Sequence, residues 1–173
     1  MEQNQQMVVM MTREVVQGLV GLDHPGFGRH FAGVYQVVVT VYEKHKTQLD
    51  HLANQLIYTD METTLQSFSG VLDKLVVDGQ MNAGRVASVL AFAGCLVQHC
   101  VKKEVISLSD VDQLAEAMGR QLASRLINNQ HSLVRICYCY YRPQLRCGNV
   151  FSSVCVCLSV CSAVTFEILD PES

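Results

Sequence analysis

The chain has 173 residues, of which 49% are hydrophobic and 17% charged, so it has the size of one ordinary domain with a substantial apolar core. Its formal net charge of −3 provides no basic excess, and we therefore exclude nucleic acid as a partner. Six of the eight cysteines follow residue 136, and the N-terminus lacks the pattern of a signal peptide. We expect reduced thiols in the cytoplasm rather than a disulfide framework.

The first third of the chain predicts two helices. Apolar residues recur at helical spacing over residues 7–22, and a loop rich in glycine follows at residues 23–33. The next segment, residues 31–57, begins with β-branched residues but continues with leucines at helical spacing. Its continuation favours one long helix over a strand.

Capping signals mark the next two helices. Thr59 and Glu62 fit a capping box, which predicts a helix from about residue 60 that ends in the turn Asp78–Gly79. Asn82 is a good N-cap for the helix that follows.

The helix over residues 83–102 is apolar nearly all the way round, which predicts a position in the middle of a bundle. Another N-terminal signal at residues 107–110 precedes a regular apolar stripe to about residue 128. The expected fold is therefore an all-α bundle over residues 1–135. The Cys-rich apolar tail, residues 136–173, is treated as a separate unit of uncertain structure.

The start of the central helix carries a resemblance. Asn82-Ala83-Gly84-Arg85, followed by Phe92 and Gly94, resembles the first homology region of the Bcl-2 family of apoptosis regulators, which has Trp where this chain has Ala83. The register of that family continues without insertion from about Val34 to Leu133. The resemblance implies a Bcl-2-like helical bundle around a buried central hydrophobic helix.

The resemblance also implies a binding site. Members of the family hold the amphipathic death-promoting helix of a relative in an apolar groove. Carried over, Arg85 pairs with the ligand's Asp, Asn82 is the hydrogen-bonding neighbour, and Gly84 admits the ligand backbone. The implied groove lining is Leu52, Leu56, Val71, Leu72, Leu75, Val86 and Phe92. Leucines at helical spacing are, on their own, more often core than groove.

Arg85 itself poses a question of electrostatics. A cation in the first turn of a helix opposes the helix macrodipole, at a cost of a few tenths to ~1 kcal/mol. A role in binding an incoming carboxylate accounts for that cost. The alternative is an ion pair inside the chain, for which Asp78 is nearest in sequence.

Two departures from the family bear on the direction of activity. Counting back along the chain places the third homology region at Val34, with Val38 and Val39 replacing its Gly-Asp pair. The killer signature is thus missing, which favours a survival-promoting inhibitor of apoptosis over the alternative, a pore-forming pro-apoptotic relative. The second homology region has Ser132 and Leu133 in place of Trp-Leu. Such degenerate regions and a short first loop are similar to diverged viral members.

A second alternative is a Cys-rich metal-binding or redox protein built on the tail, with the thiols Cys137, Cys139, Cys155, Cys157 and Cys161. The Cys-x-Cys spacing is not that of strong zinc motifs. His45, His51 and His99 stand singly and are interpreted as surface or core residues. We identify no catalytic motif, and we predict no enzyme activity, no cofactor and no metal.

The tail has a further interpretation. Residues 147–166 are 20 residues without charge, preceded by Arg142 and Arg146, as in a C-terminal membrane anchor. The expected location is the cytoplasm, that of the host for a viral protein, with the mitochondrial outer membrane as a second option. The expected partners are the amphipathic helices of pro-apoptotic relatives. Homodimerisation and weak membrane association through the tail remain open.

Overall fold

A computed structural model describes residues 2–22, 31–76 and 81–127. These residues form five α-helices and one 3-10 turn and contain no strand, which confirms the all-α prediction. The bounds are α1 Glu2–Val20, α2 Ala32–Gln55, α3 Met61–Leu75, α4 Ala83–Lys102, the 3-10 turn Leu108–Asp110 and α5 Val111–Ile127. The predicted turn at Asp78–Gly79, most of the first loop and the whole tail lie outside the described residues.

The long second helix is confirmed, with one interruption. α2 continues through the β-branched run because Val34, Val38 and Val41 recur on one face and are buried in the core. The backbone leaves helical geometry at His45, with φ −116° and ψ 15°, so α2 is kinked there.

The predicted cap of α3 is wrong by one residue. Asp60, rather than Thr59, is the N-cap: its carboxylate accepts a hydrogen bond from the Thr63 backbone N–H at 2.8 Å. The Thr63 hydroxyl accepts from the Asp60 backbone N–H at 3.1 Å and completes the capping box. Glu62 therefore does not have the reciprocal role that the sequence suggested, because Asp60 and Thr63 satisfy the same donors.

The central helix is confirmed. Every residue of α4 from 86 to 97 is buried. It packs most extensively against α2 and α1, and less extensively against α3 and α5. A helix that buries its whole circumference must be surrounded by others, as its sequence predicted.

The outer helices close the bundle. α1 packs along α5, and the two are tied at the surface because Arg13 and Gln17 both donate to the Asp112 carboxylate. Arg125 links α5 to α3 by donating to Asp73 at 2.9 Å and to Ser69 at 2.6 Å. α2 and α3 both pack on α4 but have little contact with each other. The surface between these two helices, over α4, is where an apolar groove would lie.

Candidate functional site at the start of the central helix

The first turn of α4 is built by Asn82. Its side-chain oxygen accepts a hydrogen bond from the Arg85 backbone N–H at 2.9 Å, so the predicted N-cap is confirmed. Asn82 is exposed, Ala83 and Arg85 are half-buried, and Gly84 is buried. The tetrad therefore begins at the surface and enters the core within one turn.

Arg85 has a structural role that the sequence did not indicate. Its guanidinium Nη1 donates to the backbone carbonyl of Leu75 at 3.2 Å, and Leu75 is the last residue of α3. A cation is favourable at a helix C-terminus, where backbone carbonyls lack partners within the helix. The contact offsets the cost of a cation at the start of α4. The argument that this cost requires a ligand is therefore wrong. The alternative ion pair between Arg85 and Asp78 involves a residue that lies outside the described residues.

The residues that were expected to line the groove differ in burial. Leu52, Val71 and Leu75 keep between 4% and 8% of their surface exposed, and Leu56 is half-buried. In contrast, Leu72 and Val86 are fully buried and Phe92 is 2% exposed. Six of the seven residues are thus buried in the core, and Leu56 is the one that is half-buried.

The buried residues of this set belong to the hydrophobic core. The rings of Phe68 and Phe92 stack at 6.3 Å between centroids and 10° between planes, joining α3 to α4. Ala83, where the resembled family has a tryptophan, is half-buried and packs on the same cluster. The small side chain leaves the first turn of α4 without the aromatic cover of the family pattern.

A second group of side chains was missed by the sequence interpretation. Asp50 of α2 lies beside Cys95 and His99 of α4: His99 Nε2 donates to Asp50 Oδ1 at 2.9 Å, and Cys95 Sγ donates to the same oxygen at 3.4 Å. His99 was interpreted as standing singly, which is wrong. The spacing of Cys95 and His99, one turn apart on one helix face, was a signal that could have identified the pair.

The environment of this group shifts two of its pKa values. Burial, aided by the hydrogen bond to Asp50, raises the pKa of the Cys95 thiol to about 12. The hydrogen bond from His99 lowers the pKa of the Asp50 carboxyl below 3.8. The thiol is therefore protonated and the carboxylate charged at neutral pH.

Among the described residues, α4 is long and apolar enough to cross a membrane by length and composition. In this fold, however, 78% of its most apolar window is buried inside the protein. A core helix meets the same criteria, so this property alone is weak evidence for a membrane segment.

Comparison with known proteins identifies the chain at the level of family. The model of the Bcl-2 family, described as apoptosis regulator proteins, matches residues 34–131, more than half of the chain. Searches of curated proteins and of solved structures gave no match. The matched range begins at the residue where the resemblance was expected to begin and spans α2 to α5. With its helical bundle around a buried apolar helix, this chain belongs to the Bcl-2 family of apoptosis regulators.

Proposed function

We propose that this chain is a survival-promoting member of its family, which inhibits apoptosis by sequestering the amphipathic death-promoting helix of pro-apoptotic relatives. The observation that carries the proposal is the position of Arg85. It joins the end of α3 to the start of α4 through Leu75, which is one of the residues proposed to line the groove. An apolar groove with a cation at its edge suits an amphipathic helix that carries a carboxylate beside its apolar face.

Each predicted residue has a distinct part in this mechanism. The rim residues Leu52, Leu56, Val71 and Leu75 receive the first apolar anchors of the ligand, and Leu72, Val86 and Phe92 form the floor. Arg85 pairs with the ligand's carboxylate and Asn82 hydrogen-bonds beside it. Gly84, which has no side chain, lets the ligand backbone approach the first turn of α4.

Two positions in α2 support the survival-promoting direction. Val34 and Val38, in the region where a killer would present its own death-promoting motif, are 2% and 0% exposed. Exposing them would remove apolar surface from the core at a cost of ~1.5–3 kcal/mol each. The proposed protein therefore receives such a helix rather than presenting one. The pore-forming alternative instead requires membrane permeabilisation by the protein alone, which dye release from liposomes measures.

The finer assignments follow from the same proposal. For a protein that acts on family relatives, we expect a location in the cytoplasm, that of the host if the protein is viral, or at the mitochondrial outer membrane. Anchoring through residues 147–166 and homodimerisation remain proposals, since the tail lies outside the described residues. The same holds for the alternative of a metal or redox site on the tail cysteines.

The first experiment titrates labelled death-promoting helical peptides against the full-length chain. We expect at least one peptide to bind with Kd below ~10 µM, a free energy of about 7 kcal/mol. Arg85→Ala should weaken that peptide by ~2–5 kcal/mol, as truncation of a paired interfacial charge does. Absence of any peptide below this limit would refute sequestration.

The matched control is Arg125→Ala. Arg125 also ties a guanidinium to α3, through Asp73 and Ser69, and it is not among the residues of the proposed groove. Its loss should leave peptide affinity unchanged. Because Arg85→Ala also removes the contact with Leu75, a double-mutant cycle with a peptide lacking the Asp is decisive. Coupling of at least ~0.5 kcal/mol supports the charge pair, and additivity contradicts it.

The second experiment separates rim from floor. Leu56→Ala removes a half-buried side chain, so it should reduce the binding free energy of the peptide by more than it lowers the free energy of unfolding. Leu72→Ala removes a fully buried one and should lower the free energy of unfolding by ~2–5 kcal/mol. If Leu56→Ala weakened the binding of an unrelated control peptide as much as that of the death-promoting peptide, the assignment of Leu56 to the rim would be wrong.

A further inference from the structure

The group formed by Asp50, Cys95 and His99 offers three ligand atoms of the kinds that bind zinc. Its carboxylate oxygen, thiol sulfur and imidazole nitrogen all lie within 4.8 Å of one another. Two of the three separations are hydrogen bonds, 2.9 Å from His99 to Asp50 and 3.4 Å from Cys95 to Asp50. Three different ligand types thus converge on one point between α2 and α4.

We propose that Asp50, Cys95 and His99 form a binding site for a borderline-soft divalent cation, with zinc as the best fit. Zinc bonds of ~2.0–2.3 Å to N, O and S in a tetrahedron place the ligand atoms ~3.3–3.6 Å apart. The Cys95–Asp50 distance of 3.4 Å lies in this range, the His99–Asp50 distance of 2.9 Å is about half an ångström shorter, and the Cys95–His99 distance is within 4.8 Å. Side-chain rotation is therefore sufficient to place a cation between them.

The position of the group suits a three-ligand site with an open fourth position. Cys95 is fully buried, while the side chains of His99 and Asp50 are 15% and 37% exposed. A cation can reach the ligands from the exposed side of Asp50, and water or another ligand completes the tetrahedron. The buried thiol provides the soft donor that favours zinc over calcium or magnesium.

Zinc binding releases one proton and leaves the site electrically neutral. Zn²⁺ displaces the proton of the Cys95 thiol, which passes to solvent, and binds the resulting thiolate, the neutral His99 imidazole and the Asp50 carboxylate. The site then carries no net charge. Lys46, one turn before Asp50, is the nearby cation that opposes metal entry.

The expected consequence is a clamp between two helices. Asp50 follows the kink of α2 at His45, and Cys95 and His99 belong to the central helix. A bound cation replaces two hydrogen bonds by three coordinate bonds across this contact. It should therefore stabilise the fold by an amount that rises with the logarithm of its concentration once that exceeds Kd.

The experiment uses the full-length chain with its six tail cysteines, all after residue 136, replaced by serine, so that only Cys95 and Cys100 can supply thiolate. Zinc is titrated in competition with a chromophoric chelator, and Co²⁺ serves as a spectroscopic probe of a thiolate ligand. We expect one equivalent of zinc to bind. Cys95→Ser and His99→Gln should each weaken it by more than the ~10–100-fold that loss of an outer-shell partner costs.

Cys100→Ser is the matched control, because Cys100 is equally buried on the same helix and contacts Thr64 at 3.6 Å rather than the group. It should keep both the stoichiometry and the Co²⁺–thiolate absorption. Asp50→Asn, at a partly exposed position, tests the third ligand with little risk to folding, which circular dichroism verifies. Failure to bind one equivalent, or equal zinc affinity in the Cys95 and Cys100 variants, would overturn the proposal.

Discussion

The contact between α1 and α5 depends on Gly119, and the structure predicts what a single added methyl group does there. A Cβ at Gly119 would lie 2.9 Å from the Val9 Cα, 3.2 Å from the Thr12 Cβ and 3.3 Å from the Val9 carbonyl oxygen. Two of these three atoms belong to the backbone of α1. They cannot rotate away, so Gly119→Ala must push the two helices apart.

The magnitude follows from two opposing terms. Replacing glycine by alanine inside a helix normally gains ~1 kcal/mol. Overpacking a well-filled contact costs ~1–3 kcal/mol, and the backbone clash places this site at the upper end. We therefore expect Gly119→Ala to lower the free energy of unfolding by ~1–2 kcal/mol.

Gly70 provides the matched control on α3. A Cβ added there would meet no atom within 4 Å, and the residue is exposed. The same substitution should raise the free energy of unfolding by ~0.5–1 kcal/mol, since only the helix-propensity term remains. The two variants should consequently differ by ~1.5–3 kcal/mol with opposite signs relative to the unmodified chain.

The assay is urea unfolding followed by far-UV circular dichroism, with thermal unfolding as a second measure. One kcal/mol corresponds to a change in Tm of ~2–4 °C for a chain of this size. If Gly119→Ala were as stable as the unmodified chain while Gly70→Ala gained stability, α1 and α5 could not approach as closely as described. The reasoning would then fail.

Three further predictions concern caps and thiols. Asp60→Ala should lower the free energy of unfolding by ~1 kcal/mol, whereas Thr59→Ala should stay within ~0.5 kcal/mol of the unmodified chain, and urea midpoints distinguish the two positions. Hydrogen bonds lower the pKa of the Asp60 and Asp110 carboxyls below 3.8, so their stabilisation is present above that value and is lost as the pH falls through the lowered pKa. Asp60→Asn keeps the cap hydrogen bond without the charge, so its urea midpoint should fall less steeply than that of the unmodified chain as the pH is lowered. An equal slope of urea midpoint against pH would contradict this. The pKa of Cys95 of about 12 leaves about one thiol in 10⁴ ionised at pH ~8. Iodoacetamide should therefore label Cys95 in urea but not in the folded chain, as mass spectrometry of its peptides would report.

The central helix was predictable because its signals are local. Asn82 marks its start, and an unbroken apolar run defines a helix with no solvent-facing side. The start of α1 was placed at residue 7, five residues late, because Gln3 to Gln6 are polar on all sides and carry no period. The N-cap of α3 was displaced for another reason: Thr59 and Asp60 are both good caps, and only the geometry of Thr63 selects between them.

The two candidate sites were predictable to different degrees. The tetrad of residues 82–85 is contiguous, so its resemblance to a family motif could be seen in the sequence. Asp50 and His99 are 49 residues apart along the chain, and their contact depends on how α2 crosses α4. Hydrophobic periodicity predicts which face of each helix is buried, but it does not predict which residues on two packed faces contact each other.

Because α4 is buried along most of its length, few of its side chains can contact a partner. Because residues 86–97 are all buried, only the two ends of the helix reach the surface, the tetrad at one end and His99 at the other. A partner helix that reaches Leu72 or Phe92 must first uncover them, at ~1.5–3 kcal/mol each, and then cover them again with its own apolar anchors. This exchange of apolar surface is close to neutral. On the proposed function, selection among partners would therefore depend on the fit at the rim and on the charge of Arg85.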